Sequence, residues 1–346
     1  MKTPAVAALL LCLFTAATPT FAATTAPHAP LSEYAILCAF PPGRLAALST
    51  GDIPDADGFT GGNHGHGHWV ESGPQRGSCR GVIAAVVAGD LTAADNAWRG
   101  IDVAFAHQRA DGGFESKPAA DGKISSAFNA NVETAYFFLQ ELGRAFLVIG
   151  ESPHAAHFQD RIVALKPKVR LAADYISSGY DTIIPKVGHS VNRVIIAAKA
   201  FGTCGVFLGD DKLIAQSKQL IAHAITLRDK EGVFIENGGR DSSYNVVSIL
   251  FGSVLALHVP LPEFEAILPA AVKWQLTRVL PSGEVDVSGN TRTGVGKEAN
   301  AWGKPKTVNY NEVILALTLY GTIHHDEACL AAAERVFTYQ QNHPSK

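Results

Sequence analysis

The chain has 346 residues, 47% of them hydrophobic and 18% charged. That balance excludes a disordered or fibrous chain and permits a large enclosed core, in one domain or two. A formal charge of −3 excludes overall attraction to nucleic acid or anionic membranes, so any anionic ligand needs a local cluster of Arg, Lys, His and amide groups.

In chain order the first element is a leader. "MKTPAVAALLLCLFTAATPTFAATTAPHAP" sets Lys2 before the apolar run Ala5–Phe14, with small residues around Thr20, Phe21 and Ala22. This is the layout of a signal peptide over residues 1–22, which predicts a secreted or periplasmic protein. The run is shorter than the roughly 20 apolar residues of a spanning helix. Residues 23–346 then form a single domain with a loop-rich segment, 23–80. Cys38, Cys79, Cys204 and Cys329 follow the leader. Cys38 with Cys79 is the expected pair, and Cys204 and Cys329, in apolar helical patterns, are either a second pair or buried thiols.

Within the loop-rich segment, "GFTGGNHGHGHWVESG" carries His64, His66 and His68 at alternate positions. The glycines predict a flexible loop, and no acidic or Cys partner completes a metal-ligand set, so no metal is expected. His66 and His68 are expected to line a ligand, with Trp69 as a stacking face.

From about residue 80 onward, apolar residues recur at helical spacing between Gly, Pro, Asp and Asn breakers. Asp211–Arg228 and Pro262–Arg278 carry charge on one face and read as outer helices. Val132–Val148, Val191–Leu208, Val246–Leu257 and Val313–Ile323 are apolar nearly all round and must be enclosed. Alternation of enclosed and exposed helices predicts an all-α fold, an α/α toroid of about six to seven helical hairpins, complete or incomplete. The turn "HQRADGGFES" resembles one found after helices in several such toroids, its Gly112 and Gly113 serving a helix end.

The heads of the four enclosed helices are "SSAFNANVETAYFFL", "PKVGHSVNRVIIAAK", "GGRDSSYNVVSILFG" and "KPKTVNYNEVILALT". Each brings Asn, His, Arg or Tyr to the N-terminus of an apolar helix. If the inner helices run alike around a ring, these heads converge at one end of its bore, where free N–H groups and helix dipoles favour an anion. The groups on offer are Asn129 and Asn131 as amide donors, His189 as a base, and Asn192 and Arg193 beside it. Arg240 is a carboxylate fork and Tyr244 a proton carrier, with Tyr310 at the fourth head. The loop "GNTRTGVGKEANAWGKPKTVNY" adds Arg292, Lys297, Lys304 and Lys306 to grip carboxylates, and Trp302 to stack on a ring.

Asn, His, Arg and Tyr in that chain order, on an exported α/α toroid, resemble the toroid-fold polyuronate lyases, above all polysaccharide lyase family thirty-eight, which acts on alginate or glucuronan. The resemblance covers about residue 80 to the end and rests on architecture and motif order. It implies β-elimination across a 4-linked uronate, with no cofactor and an acidic polysaccharide as the only partner. Asn131 would neutralise the substrate carboxylate, His189 act as base or charge neutraliser, Arg240 orient, and Tyr244 serve as the catalytic phenol. Asn129 and Asn192 qualify equally for the amide role. On mannuronate or glucuronate Tyr244 alone could remove the C5 proton and return it to O4; on guluronate His189 would take the proton and Tyr244 give one. Two other readings stand beside this one: a glycoside hydrolase of related architecture using Asp241, Glu312 or Asp111, and a non-catalytic protein that binds acidic polysaccharide.

Overall fold

The computed structural model describes residues 32–41, 43–49, 53–116, 130–299 and 303–344. Three short helices come first, α1 (Glu33–Cys38), α2 (Ala46–Ser49) and α3 (Gly61–His66). Then follow α4 (Arg76–Ala88), α5 (Leu91–Ala106), α6 (Ala130–Glu151), α7 (Ala155–Ser178), α8 (Ile183–Val187), α9 (Val191–Leu208) and α10 (Asp211–Thr226). A two-residue hairpin, β1 (Ile235–Glu236) with β2 (Gly239–Arg240), leads to α11 (Ser242–His258), α12 (Pro262–Glu265), α13 (Leu268–Arg278), α14 (Tyr310–His324) and α15 (Glu327–Asn342). All belong to one compact unit, Leu31–Lys346.

Five helices, α4, α6, α9, α11 and α14, pack side by side as an inner ring, and α5, α7, α10, the α12–α13 pair and α15 each cover one of them from outside. α1 and α2 touch both α4 and α14 and close the ring between them. The fold is the expected all-α toroid, built of five hairpins among the described residues rather than six to seven. The N-terminal quarter supplies closing pieces in place of further hairpins. α9, α11 and α14 are apolar on nearly every side because neighbours, an outer helix and the bore surround them. α9 is also long and apolar enough to cross a membrane, yet it is largely buried in this ring.

Two turns recur and set the hairpin geometry. Three of the five passages from an inner to an outer helix use a left-handed residue followed by a capping aspartate: Gly89 and Asp90, Gly209 and Asp210, His325 and Asp326. The aspartate side chain accepts the backbone N–H three residues on, and its own N–H returns to the inner helix, on Ala85, Gly205 and Gly321. The return passage uses a tight loop bridged at Gln108–Phe114, Arg228–Phe234 and Val279–Val285. The fifth residue of each loop is a glycine, Gly112, Gly232 or Gly283, at φ of 87°, 85° and 90°. A Cβ there would lie 2.1 Å from the Leu171 carbonyl oxygen, 2.7 Å from Ala270 Cβ and 2.0 Å from the Arg335 carbonyl oxygen. These neighbours sit on α7, α13 and α15, so each glycine lets its turn rest on the following outer helix.

Two local expectations change. "GGNHGH" forms α3 rather than a flexible loop. Cys38 and Cys79 are free thiols, the first exposed and the second buried, so the expected disulfide is not formed. Cys204 and Cys329 are buried free thiols, the second of the two forms open to them. The leader lies outside the described residues.

Candidate functional site

Contacts among their first turns tie the inner-helix heads together. The Arg76 guanidinium of α4 lies 5.3 Å from the Phe137 ring of α6. Glu133 of α6 meets Arg193 of α9 at 3.6 Å, and the Asn309 N–H, capping α14, donates to Ser243 Oγ of α11. Between α9 and α11 runs a longer chain. Ser190 Oγ donates to Glu236 Oε1 at 2.7 Å, Arg292 Nη1 pairs with the same carboxylate, and the Arg292 guanidinium lies 4.2 Å from the centre of the Tyr244 ring.

The polar run at the head of α11 has a structural logic. Asp241 is fully buried and caps the helix, accepting the N–H groups of Ser243 and Tyr244. Its second oxygen accepts the N–H groups of Arg292 and Thr293, both at 2.8 Å, and Thr293 Oγ1 donates to the first. Ser242 is bonded to Asn290 and to the Asp286 carbonyl. These bonds seal the loop between α13 and α14 onto the helix head and carry Arg292 over the phenol. Tyr244 is left partly exposed, and Lys306 Nζ donates to its Oη at 3.2 Å. Glu298 completes the group, accepting from Arg292 Nε at 2.9 Å and from Lys306. Burial opposes its charge, but the bonds from Arg292 and Lys306 outweigh this and hold its carboxyl at about 2.

Below this mouth the bore is filled by ionic groups. Glu141 of α6 is fully buried among Lys199 (3.0 Å), Arg144 (3.1 Å) and Arg80 (3.4 Å). Burial alone would raise its carboxyl, but these three cations hold it below the ordinary range. Arg144 also reaches Glu33 of α1 at 2.6 Å, where His258 of α11 binds at 2.7 Å. A polar cavity of about 200 Å³ lies beside them, lined by Arg80, Glu141, Arg144, Phe251, Asn309 and Glu312 among others. Burial raises the Glu312 carboxyl, with Arg80 and Arg76 opposing. A larger hollow of about 360 Å³ among α2, α4 and α5 is walled mostly by alanine, Leu45 and Ile53, and brings no acid, base or cation cluster together.

Several expected site residues stand elsewhere. Arg240 is bound by Asp229 and Glu231 of the turn after α10 and lies 5.7 Å from the Trp274 ring of α13, so Arg292 takes the place beside Tyr244. His189 is exposed and enters none of the bonds that join Tyr244 to α9; Ser190 and Asn192, bonded to each other at 2.6 Å, enter instead. Trp69 is buried, stacked on His107 at 4.2 Å, with its indole N–H on the Glu115 carbonyl, and offers no open face. Tyr310 stacks on Tyr339 of α15, and burial raises its phenol to about 12. His66 and His68 sit together on the surface at the end of α3, and Lys304 is exposed. Asn129 and Trp302 lie outside the described residues, as does the side chain of Asn131, whose backbone starts α6. Among the hydrolase carboxylates, Asp111 is exposed and paired with Arg109 in a turn, and both oxygens of Asp241 are taken by the loop.

Sequence reasoning also missed Glu133. Burial raises its carboxyl to about 7, with Arg193 opposing and Glu71 adding to the rise. Its Oε2 and the neighbouring Tyr136 hydroxyl are buried with no hydrogen-bond partner. The signal was a carboxylate three residues into a helix expected to be enclosed.

No protein-family model matches the chain, and no curated sequence matches it. Among solved structures the chain is similar to a cellobiose 2-epimerase from Bacillus thermoamylovorans, with 14% identity, a TM-score of 0.49, and coverage of 90% of this chain and 86% of that one. A likeness of that size leaves fold and chemistry to be argued from the chain's own geometry.

Proposed function

We propose that this is a carbohydrate-active enzyme, a lyase that cleaves a 4-linked polyuronate such as alginate or glucuronan by β-elimination, with Tyr244 as the proton carrier. The observation that carries this reading is the setting of that phenol. It is partly open at the mouth of the ring, with Lys306 on its oxygen and Arg292 over its face. Negative charge appearing on Oη would form beside an ammonium that is already in place.

In the reaction, Tyr244, deprotonated to the phenolate, removes the proton from C5, the C5–H electron pair forms the C4–C5 double bond, and the C4–O4 bond breaks. The departing O4 takes the proton back from the phenol, leaving an unsaturated uronate at the new non-reducing end. Charge building on the substrate carboxylate as C5 loses its proton would be met by Arg292 and Lys306, by Arg193 and Asn192 at the next helix head, and by the helix N-termini. Arg292 and Lys306 thus take the part first expected of Arg240. Export through the expected leader would place the enzyme where such polymers occur.

Glu133 supports a second reading, a glycoside hydrolase, because a carboxyl held at about 7 is a ready general acid. One experiment separates the two. Incubation with a panel of polymannuronate, glucuronan, polyguluronate and pectate should raise ultraviolet absorbance from the new double bond with polymannuronate or glucuronan, on which Tyr244 alone can act. New reducing ends without absorbance would replace the lyase by a hydrolase, and binding without either product would leave a non-catalytic polysaccharide-binding protein.

A further inference from the structure

The cluster around Tyr244 holds two cations, Arg292 and Lys306, and two carboxylates, Glu236 and Glu298. The carboxylates differ in how firmly they are held. Glu236 is wholly buried on β1, bound by Ser190 and Arg292. Glu298 has a side chain 36% exposed and lies on a loop, where it joins Arg292 Nε, Lys306 Nζ and, at 3.2 Å, Asn237 Nδ2. Its two oxygens therefore bridge the same two cations that flank the phenol, one of which also touches Oη.

We propose that Glu298 is a built-in surrogate for the substrate carboxylate, occupying the anion position beside Tyr244 until a uronate carboxylate replaces it on Arg292 and Lys306. The inference rests on the polyuronate reading and names what the site selects: a sugar carrying a carboxylate next to the reacting carbon. The charge balance favours a one-for-one exchange. With Glu298 withdrawn, Arg292 and Lys306 face Glu236 alone and the cluster is one negative charge short, which a single uronate carboxylate restores and a neutral hexose does not. On leaving, Glu298 gives up its pairs with Arg292 and Lys306, and the uronate carboxylate makes the same two pairs in its place, so the exchange is close to balanced, whereas the departure of Glu236 would leave a buried guanidinium with less compensation. The requirement also disfavours neutral polymers, which cannot hold the two cations once Glu298 has left.

The test is binding, measured by calorimetry in a Tyr244→Phe background so that no ligand is consumed. The probes are a 4-linked triglucuronate, a trimannuronate and, as neutral control, cellotriose. Adding Glu298→Gln should tighten binding of the acidic trisaccharides about three- to tenfold, because the competing charge is gone, and leave cellotriose unchanged. Glu298→Asp, which keeps the charge, should bind them close to the parent, and thermal unfolding of each variant verifies that it is folded. Glu298→Gln binding the acidic trisaccharides no tighter, or more weakly, overturns the proposal, since a carboxylate that only shapes the loop loosens the site when removed. Tighter binding without any cleavage by the unmutated protein would support the exchange and sink the lyase reading; cleavage without tightening would do the reverse.

Discussion

Arg240 and Arg292 show how sequence distance misleads at the scale of single residues. Arg240 is four positions from Tyr244, yet it ends a two-residue strand and its guanidinium is claimed by Asp229 and Glu231. Arg292, far along the chain in a loop without periodicity, reaches the phenol because Asp241 pins its backbone. Arg292→Ala should therefore lower the elimination rate by about a hundredfold or more, as loss of a preorganised charge does. Arg240→Ala, removing a partly exposed surface pair, should change the rate less than about threefold and stability by about 1 kcal/mol or less. Equal losses in steady-state rates of the two variants would put Arg240 back in the site. Glu133 gives a second residue-level expectation. Its carboxyl stands at about 7 in the fold against 4.5 unperturbed, so the folded state binds the proton more tightly. The stability this group contributes is complete below about pH 4.5 and is lost as the pH rises through about 7. Glu133→Gln should remove that step, making the decline in unfolding free energy between pH 5 and 8 shallower by about 1–3 kcal/mol. Parallel declines in denaturant titrations of the two proteins would show that Glu133 ionises in the fold without penalty.

At the scale of elements, the enclosed helices were legible because a helix surrounded on all sides has no polar face to hide its signal. The expected Val191–Leu208 coincides with α9, and the expected cores of α6, α11 and α14 fall inside the observed helices. The fifth inner helix, α4, was not legible. Its small residues and its Arg76 and Arg80, which turn toward the α6 and α14 groups of the bore, look like an amphipathic surface helix when read alone. Of the three return turns only the first, in "HQRADGGFES", was legible. "QRADGGF", "RDKEGVF" and "VLPSGEV" share little except the fifth-position glycine, since the backbone bonds common to the three turns can be made by any residue and the side chains that add to them, Asp111, Asp229 and Ser282, differ in kind or position. Gly283→Ala tests the importance of that glycine. It forces a side chain into the left-handed region and against the Arg335 carbonyl oxygen, and should cost about 2–4 kcal/mol. The measurement is urea unfolding, and a cost below about 1 kcal/mol would mean that α15 moves aside freely.

For the whole molecule, the toroid could be read from alternation of helix types, but its size could not. Hairpin number depends on how much chain is spent closing the ring, and here α1 and α2 do that work in place of the further hairpins expected. The meeting of the heads at one mouth followed from the ring itself, whereas which side chains face that mouth depended on loops whose course no periodicity records. The consequence is a division of labour along the bore. A buried ionic plug of Glu33, Arg144, Glu141, Lys199 and His258 closes the depth, and the reactive phenol with its cations sits at the open end. The most direct test of this account is the rate at which Tyr244→Phe releases unsaturated uronate from the polymer that the unmutated protein cleaves. The account predicts a loss of about a thousandfold with polymer binding retained; a rate within a few-fold of the unmutated protein would contradict it.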